Sequence, residues 1–233
     1  MCLSGRADET LLGVRIEAGP VWQTINGVQI PSTGGTRIDL TQFGKGPSLH
    51  FRLDANLKLS DRSELRALYA PLAIELDGTL SQAASFQGVT LSPGVPTTAR
   101  YMFNSYRLTY RYRFIEGDRF CLWAGLTAKV RDAEVRLAQG SVKASKENIG
   151  FVPLLHLVAQ HQLTERFALR MEIDALAAPQ GRAEDIALLG VFGIHEKSNL
   201  YLGYRTIEGG ADGAEVYTFA WLHFFSIGLS YRL

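Results

Sequence analysis

The sequence lacks a long hydrophobic run. Its longest uninterrupted stretch of apolar residues and glycine, Ile186 to Ile194, is about half the ~18 residues a helical membrane span needs. It also lacks an excess of either charge, with 24 Lys+Arg against 23 Asp+Glu. Nucleic acid is therefore not an expected partner, because a general binder needs surplus cations to displace counterions from phosphates. Cysteine is nearly absent. Cys2 and Cys121 supply no disulfide framework and no metal-ligand spacing, so no metal and no cofactor are expected. Met1 to Arg6 carry no apolar stretch, and no export signal is visible in this chain.

What the sequence has is alternation with period two, sustained over long stretches. From Arg100 onward, Met102, Asn104, Tyr106, Leu108, Tyr110, Tyr112 and Phe114 fall on one face, and Phe103, Ser105, Arg107, Thr109, Arg111 and Arg113 on the other. Leu49 to Lys58, Leu68 to Asp77, Leu122 to Arg131 and Phe167 to Asp174 divide in the same way. Ten strands are predicted, near 11–25, 48–59, 64–80, 100–114, 119–138, 150–163, 166–176, 185–195, 199–208 and 215–233. Short polar turns at 60–63, 116–118, 164–166 and 196–198 alternate with longer segments at 26–47, 81–99, 140–149, 177–184 and 209–214. A helical reading of 63–76 is countered by Pro71 in mid-run. The pattern predicts an all-β, antiparallel, up-and-down barrel of about ten strands over residues 11–233, preceded by a tail at 1–10.

Alternation alone does not say which face points outward. A soluble ligand-binding barrel would turn the apolar face inward, whereas a transmembrane barrel turns it outward. Three features favour the second. Many runs extend for ten residues or more, near the roughly 9–11 a tilted strand needs to cross a bilayer. The polar face is rich in arginine and small residues, which suits pairing in a confined lumen. Aromatics gather toward strand ends, with Trp22 and Tyr217 at the loop rim and Tyr112, Phe114, Phe167 and Tyr231 at the turn rim, as two interfacial belts require. The run from Leu122 loses its parity near residue 132, which predicts a bulge or a strand leaving the membrane.

The last strand adds a motif. Tyr217, Phe219, Trp221, His223, Phe225, Ile227, Leu229, Tyr231 and Leu233 form one face ending on an apolar residue, with an aromatic third from last. This resembles the terminal strand of Gram-negative outer-membrane β-barrel proteins, although Leu233 stands where phenylalanine is commoner. The resemblance implies location in the bacterial outer membrane, contact with its lipids, and an assembly signal in Phe225, Ile227, Leu229, Tyr231 and Leu233 read by the barrel-assembly machinery.

An inward polar face would bring Arg15 and Glu17 beside a lumen charge network of Arg52, Asp54, Glu75, Arg107, Arg111, Lys129, Arg131, Arg170, Glu172, Asp174 and Arg205. In a narrow barrel such side chains would fill the interior as a paired plug, or else line a narrow conduit. His156, placed opposite Glu172, is the one weak candidate for a general base. His50, diagonal to Glu75, is read as a satisfied lumen histidine. Ten strands are also the count of the omptin proteases, whose Asp and His residues stand at the outer rim. No histidine falls in the long loops here, so no residue is carried over. The leading expectation is a non-enzymatic outer-membrane barrel, structural or a narrow channel, with a charged and largely plugged lumen. The alternatives are an outer-membrane hydrolase acting on lipid A or peptides, and a soluble ligand-binding barrel.

Overall fold

The computed structural model describes residues 12–179 and 181–233. The expected tail at 1–10 and Cys2 lie outside the described residues. Among the described residues fourteen strands are formed: β1 (Leu12–Gln29), β2 (Ile38–Asp39), β3 (Ser48–Lys58), β4 (Ser63–Ala70), β5 (Ala73–Thr79), β6 (Ala84–Phe86), β7 (Val89–Leu91), β8 (Pro96–Glu116), β9 (Phe120–Gln139), β10 (Val142–Gln162), β11 (Phe167–Ala178), β12 (Gly181–His195), β13 (Ser198–Asp212) and β14 (Tyr217–Arg232). β4 and β5 are one wall strand interrupted at Pro71, which has no N–H to give the ladder. The register against β8 is unchanged across the break, from Ala70↔Ser105 to Ala73↔Met102. β14 pairs with β1, and the sheet closes into an antiparallel barrel of ten wall strands.

The turns at one rim are short for a chemical reason. Ser60 Oγ accepts from the backbone N–H groups of Arg62 and Ser63, and Thr164 Oγ1 does the same for Arg166 and Phe167. Each hydroxyl replaces a backbone acceptor and fixes the reversal. At the opposite rim, three expected loops prove to be mostly strand, the segment 209–214 through the extension of β13 to Asp212. The segment 140–149 belongs mostly to β10, whose hairpin with β9 turns at Gly140 (φ 57°) and Ser141. The segment 177–184 is likewise mostly β11 and β12. The long loops that remain, 30–47 and 80–95, carry β2, a 3-10 turn at Leu40–Phe43 and the β6–β7 hairpin.

Sequence reading missed these strand extensions because the two faces exchange character along the barrel axis. In the turn-side half the outer surface is apolar: Phe225, Ile227 and Leu229 are each more than half exposed, while Arg107 is 4% exposed. Higher up, the outward positions of β9 become Asp132, Glu134 and Arg136, and its inward positions become Val135 and Leu137. The parity change near residue 132 is therefore a strand leaving the apolar belt. The β8–β9 register runs unbroken from Thr98↔Ala138 to Arg113↔Trp123, without a bulge there.

The inward apolar residues of the loop-side half pack with Val28, Ile30, Leu40, Phe43, Leu80, Phe86 and Leu91 into a buried cap. Phe86 is fully buried at its centre. Phe86→Ala is expected to cost the cap about 3–5 kcal/mol. Limited proteolysis should then cut within 80–95 while the barrel wall resists.

One strand departs from the expected orientation. The run Leu68 to Leu76 was expected to face outward with Glu75 and Asp77 inside, and the structure reverses it. Leu68, Ala70, Leu72 and Ile74 are buried within the barrel, and Glu75 is exposed on the outer surface beside Arg100. Both faces of this wall strand are largely apolar, so its alternation carries no sign. Leu72 and Ile74 pack with Val21, Leu222 and Phe224 in a second cluster below the cap.

Candidate functional site

Inward positions of several strands bring their charges to one level of the lumen. Arg15 and Glu17 come from β1, Arg52 and Asp54 from β3, Arg66 from β4, and Arg107 from β8. Glu172 and Asp174 come from β11, Asp185 from β12 and Arg205 from β13, and all ten side chains are buried. The guanidinium groups of Arg15, Arg52, Arg66, Arg107 and Arg205 balance the carboxylates of Glu17, Asp54, Glu172, Asp174 and Asp185.

Arg15 reaches Glu172 at 2.8 Å and Asp54 at 3.3 Å. Arg66 also holds Asp54. Arg107 bridges Asp174 at 2.8 Å and Asp185 at 2.7 Å. Arg205 contacts Asp185, Glu17 and Glu172. Each carboxylate meets at least two guanidinium groups, so the array is a cross-braced net. Forked guanidinium donors suit such bridging better than a point-charge ammonium.

The other sequence-derived candidates sit around this net. Arg170 donates to Glu172 at 2.8 Å and lies over the Trp123 ring. Arg111 pairs with Glu64 nearer the turns. Lys129 and Arg131 stand above the net, and Glu75 is outside the lumen altogether. Sequence reasoning left Arg66 and Asp185 out of the network. Arg66 shared the misread face of β4, and Asp185 stood at the edge of the expected 177–184 loop.

His156 pairs with Asp174, at 2.8 Å from Nδ1, and not with Glu172, because the β10–β11 register sets His156↔Asp174. Asp174 is also held by Arg107 and accepts from Thr127. Barrel closure creates a second histidine contact that the strand pattern did not disclose. His50 Nε2 lies 3.1 Å from Ser226 Oγ, across Gly19 of the intervening β1. This is a hydroxyl–imidazole pair without an orienting acid, since among the described residues no side chain partners His50 Nδ1. Both residues are buried, away from either mouth. Cys121 is buried with Trp123 and Val158 and is not a free thiol.

Above the net lies a cavity of about 340 Å³, walled by β8–β10 and by β11–β14. Its lining is largely apolar, with Tyr101, Phe103, Leu176, Ile207, Phe219 and Leu222 among its residues. Lys129 and Arg131 border it on the side of the net. The cap encloses it in part, and Ile30 belongs to both.

Among solved structures, the chain is similar to the outer-membrane protease OmpT of Escherichia coli, with a TM-score of 0.60 and 10% identity over 99% of this chain and 100% of that one. It is more loosely similar to Ail, the attachment invasion locus protein of Yersinia pestis, at a TM-score of 0.44 and 11% identity over 96% of this chain and 99% of that one. Neisserial surface protein A gives a TM-score of 0.38 at 11% identity, over 95% and 97% of the respective chains. No protein-family pattern matches the sequence, and no curated protein does. At such identities the likeness is one of architecture. The chain is a small ten-stranded β-barrel of the outer-membrane type.

Proposed function

We propose that the protein is an integral, non-enzymatic barrel of the bacterial outer membrane, closed to ions at the level of its charged net. The observation that carries this reading is the charge balance of the lumen. Ten buried side chains from seven wall strands neutralise one another across the bore, and an ion passing through would have to break several bridges at once. The apolar outer belt supports a place among lipids, because a patch of that size facing water would aggregate. Assembly through the terminal strand, by recognition of Phe225, Ile227, Leu229, Tyr231 and Leu233, belongs to the same reading.

Hydrolysis is disfavoured by the placement of the histidines. His50 and His156 are sealed inside the wall, His223 on the outer surface is engaged by Tyr204 and Thr24, and His161 and His195 lie exposed toward the short-turn rim. Planar bilayers holding the purified protein are expected to give no conductance steps above background. Cells overproducing it are expected to retain unaltered lipid A and to gain no peptide hydrolysis. Steady steps in the wild-type protein would overturn the closed reading, and a processed lipid A would overturn the non-enzymatic one.

A further inference from the structure

The barrel wall has a notch on one side. β10 pairs with β9 along its whole length, from Val142↔Gln139 to His161↔Phe120. Its pairing with β11 stops at Leu155↔Ala175. Beyond that rung, Val152, Pro153 and Leu154 have no ladder partners among Leu176 to Ala178, although both stretches are strand. Pro153 could not donate there in any case. Val152, Pro153, Leu176 and Ala178 also line the cavity, so the gap and the cavity are continuous. The outer lip of the notch carries Phe151 and Ile149, exposed to 68% and 75% at the upper margin of the apolar belt.

The charged end of the cavity is short of anions. Lys129 is 3% exposed and borders the space, yet no described residue accepts a hydrogen bond from it or pairs with it. Its ammonium rests 4.7 Å above the Phe103 ring. The nearby carboxylates are already committed. Asp185 serves Arg52, Arg107 and Arg205, and Asp174 serves Arg107 and His156. Arg131 donates to Asn148, and its buried Nε has no partner. Glu134 is held by Arg100 and Arg136, and Glu208 by Arg182. A buried, unpaired ammonium is costly, and an anionic ligand would relieve that cost.

We propose that this cavity binds a single-chain carboxylate amphiphile, its head on Lys129 and Arg131 and its tail along the apolar wall, and that the ligand reaches it sideways from the bilayer through the β10–β11 notch. At roughly 30 Å³ per heavy atom the space suits a ligand of about ten to twelve heavy atoms, such as a medium-chain fatty acid. The proposal rests on the barrel being closed and membrane-embedded. Failure of that reading would appear separately, as conductance or as solubility without detergent.

The test uses the full chain in phosphatidylcholine nanodiscs and radiolabelled decanoate, with empty nanodiscs as background. Decanoate is expected to bind saturably at one site. Lys129→Met should weaken decanoate by about tenfold or more while leaving uncharged decanol unchanged. Ala183→Trp, which fills the cavity, should abolish both. A Pro153→Cys/Ala177→Cys pair, oxidised across the notch, should slow uptake of decanoate supplied in the bilayer several-fold, with recovery on reduction. Each variant is first checked for heat-modifiable gel mobility. If Ala183→Trp does not fold, Ala211→Phe fills the same space. No saturable binding, or equal decanoate binding by Lys129→Met, would refute the site. An unchanged rate in the oxidised pair would refute the lateral route.

Discussion

Replacing Arg205 with methionine is expected to lower the stability of the barrel by about 3–5 kcal/mol, measured by urea unfolding in liposomes with gel mobility as the readout. The Arg205 guanidinium lies 2.6 Å from Asp185, 3.3 Å from Glu17 and 3.4 Å from Glu172, and the residue is buried. Methionine keeps much of the packing volume and leaves one net negative charge buried in the net. Most of the expected loss is the cost of that uncompensated charge. The double variant Arg205→Met/Asp185→Asn restores neutrality and should recover a large part of it. Arg205→Lys keeps the charge but cannot fork between carboxylates, so an intermediate loss of about 1–2 kcal/mol is expected. A change below about 1 kcal/mol for Arg205→Met would mean that water fills the lumen at this level and that the net is not a seal.

Gly125→Leu is expected to have an even larger effect, preventing formation of the heat-modifiable folded species. A Cβ at Gly125 would stand 2.0 Å from the carbonyl oxygen of Tyr110 and 2.8 Å from Cα of Arg111. Both are backbone atoms of the neighbouring β8, so no side-chain rotation relieves the clash. The β8–β9 ladder would have to separate at this rung, at a cost of about 4 kcal/mol or more. Gly94→Ala provides the contrast. Gly94 has φ 71° and nothing within 4 Å of its would-be Cβ, so only the left-handed backbone is penalised, by about 1 kcal/mol. Similar stability in the two variants would show that close strand approach at Gly125 is not what shapes the wall.

The architecture was legible wherever the two faces of a strand differ strongly. Tyr106, Leu108 and Tyr110 against Arg107, Thr109 and Arg111 leave only one sensible orientation, and the structure has it. Leu68 to Leu76 was misread because both faces there are greasy: one lies on the outer surface and the other meets Phe224 and Leu222 across the lumen. That single reversal placed Glu75 inside and left out Arg66. The offset between Glu172 and Asp174 opposite His156 has a different origin. It depends on how many residues the turn after Leu163 uses, and alternation cannot count turn residues. The pairing of His50 with Ser226 was invisible for a third reason. It arises only when the last strand closes onto the first, and no local pattern records which residues then meet across Gly19.

With the barrel embedded in a membrane as proposed, the exchange of faces along β9 would also fix how deep it sits. Moved outward by one pair of residues, it would lift Val130 and Phe151 into water. Moved inward, it would drag Asp132 and Glu184 into hydrocarbon. Neither shift has compensation from within, since the ion net and the greasy cap are fastened to the same rungs. The molecule therefore behaves as a gauge of fixed draught: a bilayer of the wrong thickness must stretch or pinch around it, because the protein has no second level at which to float.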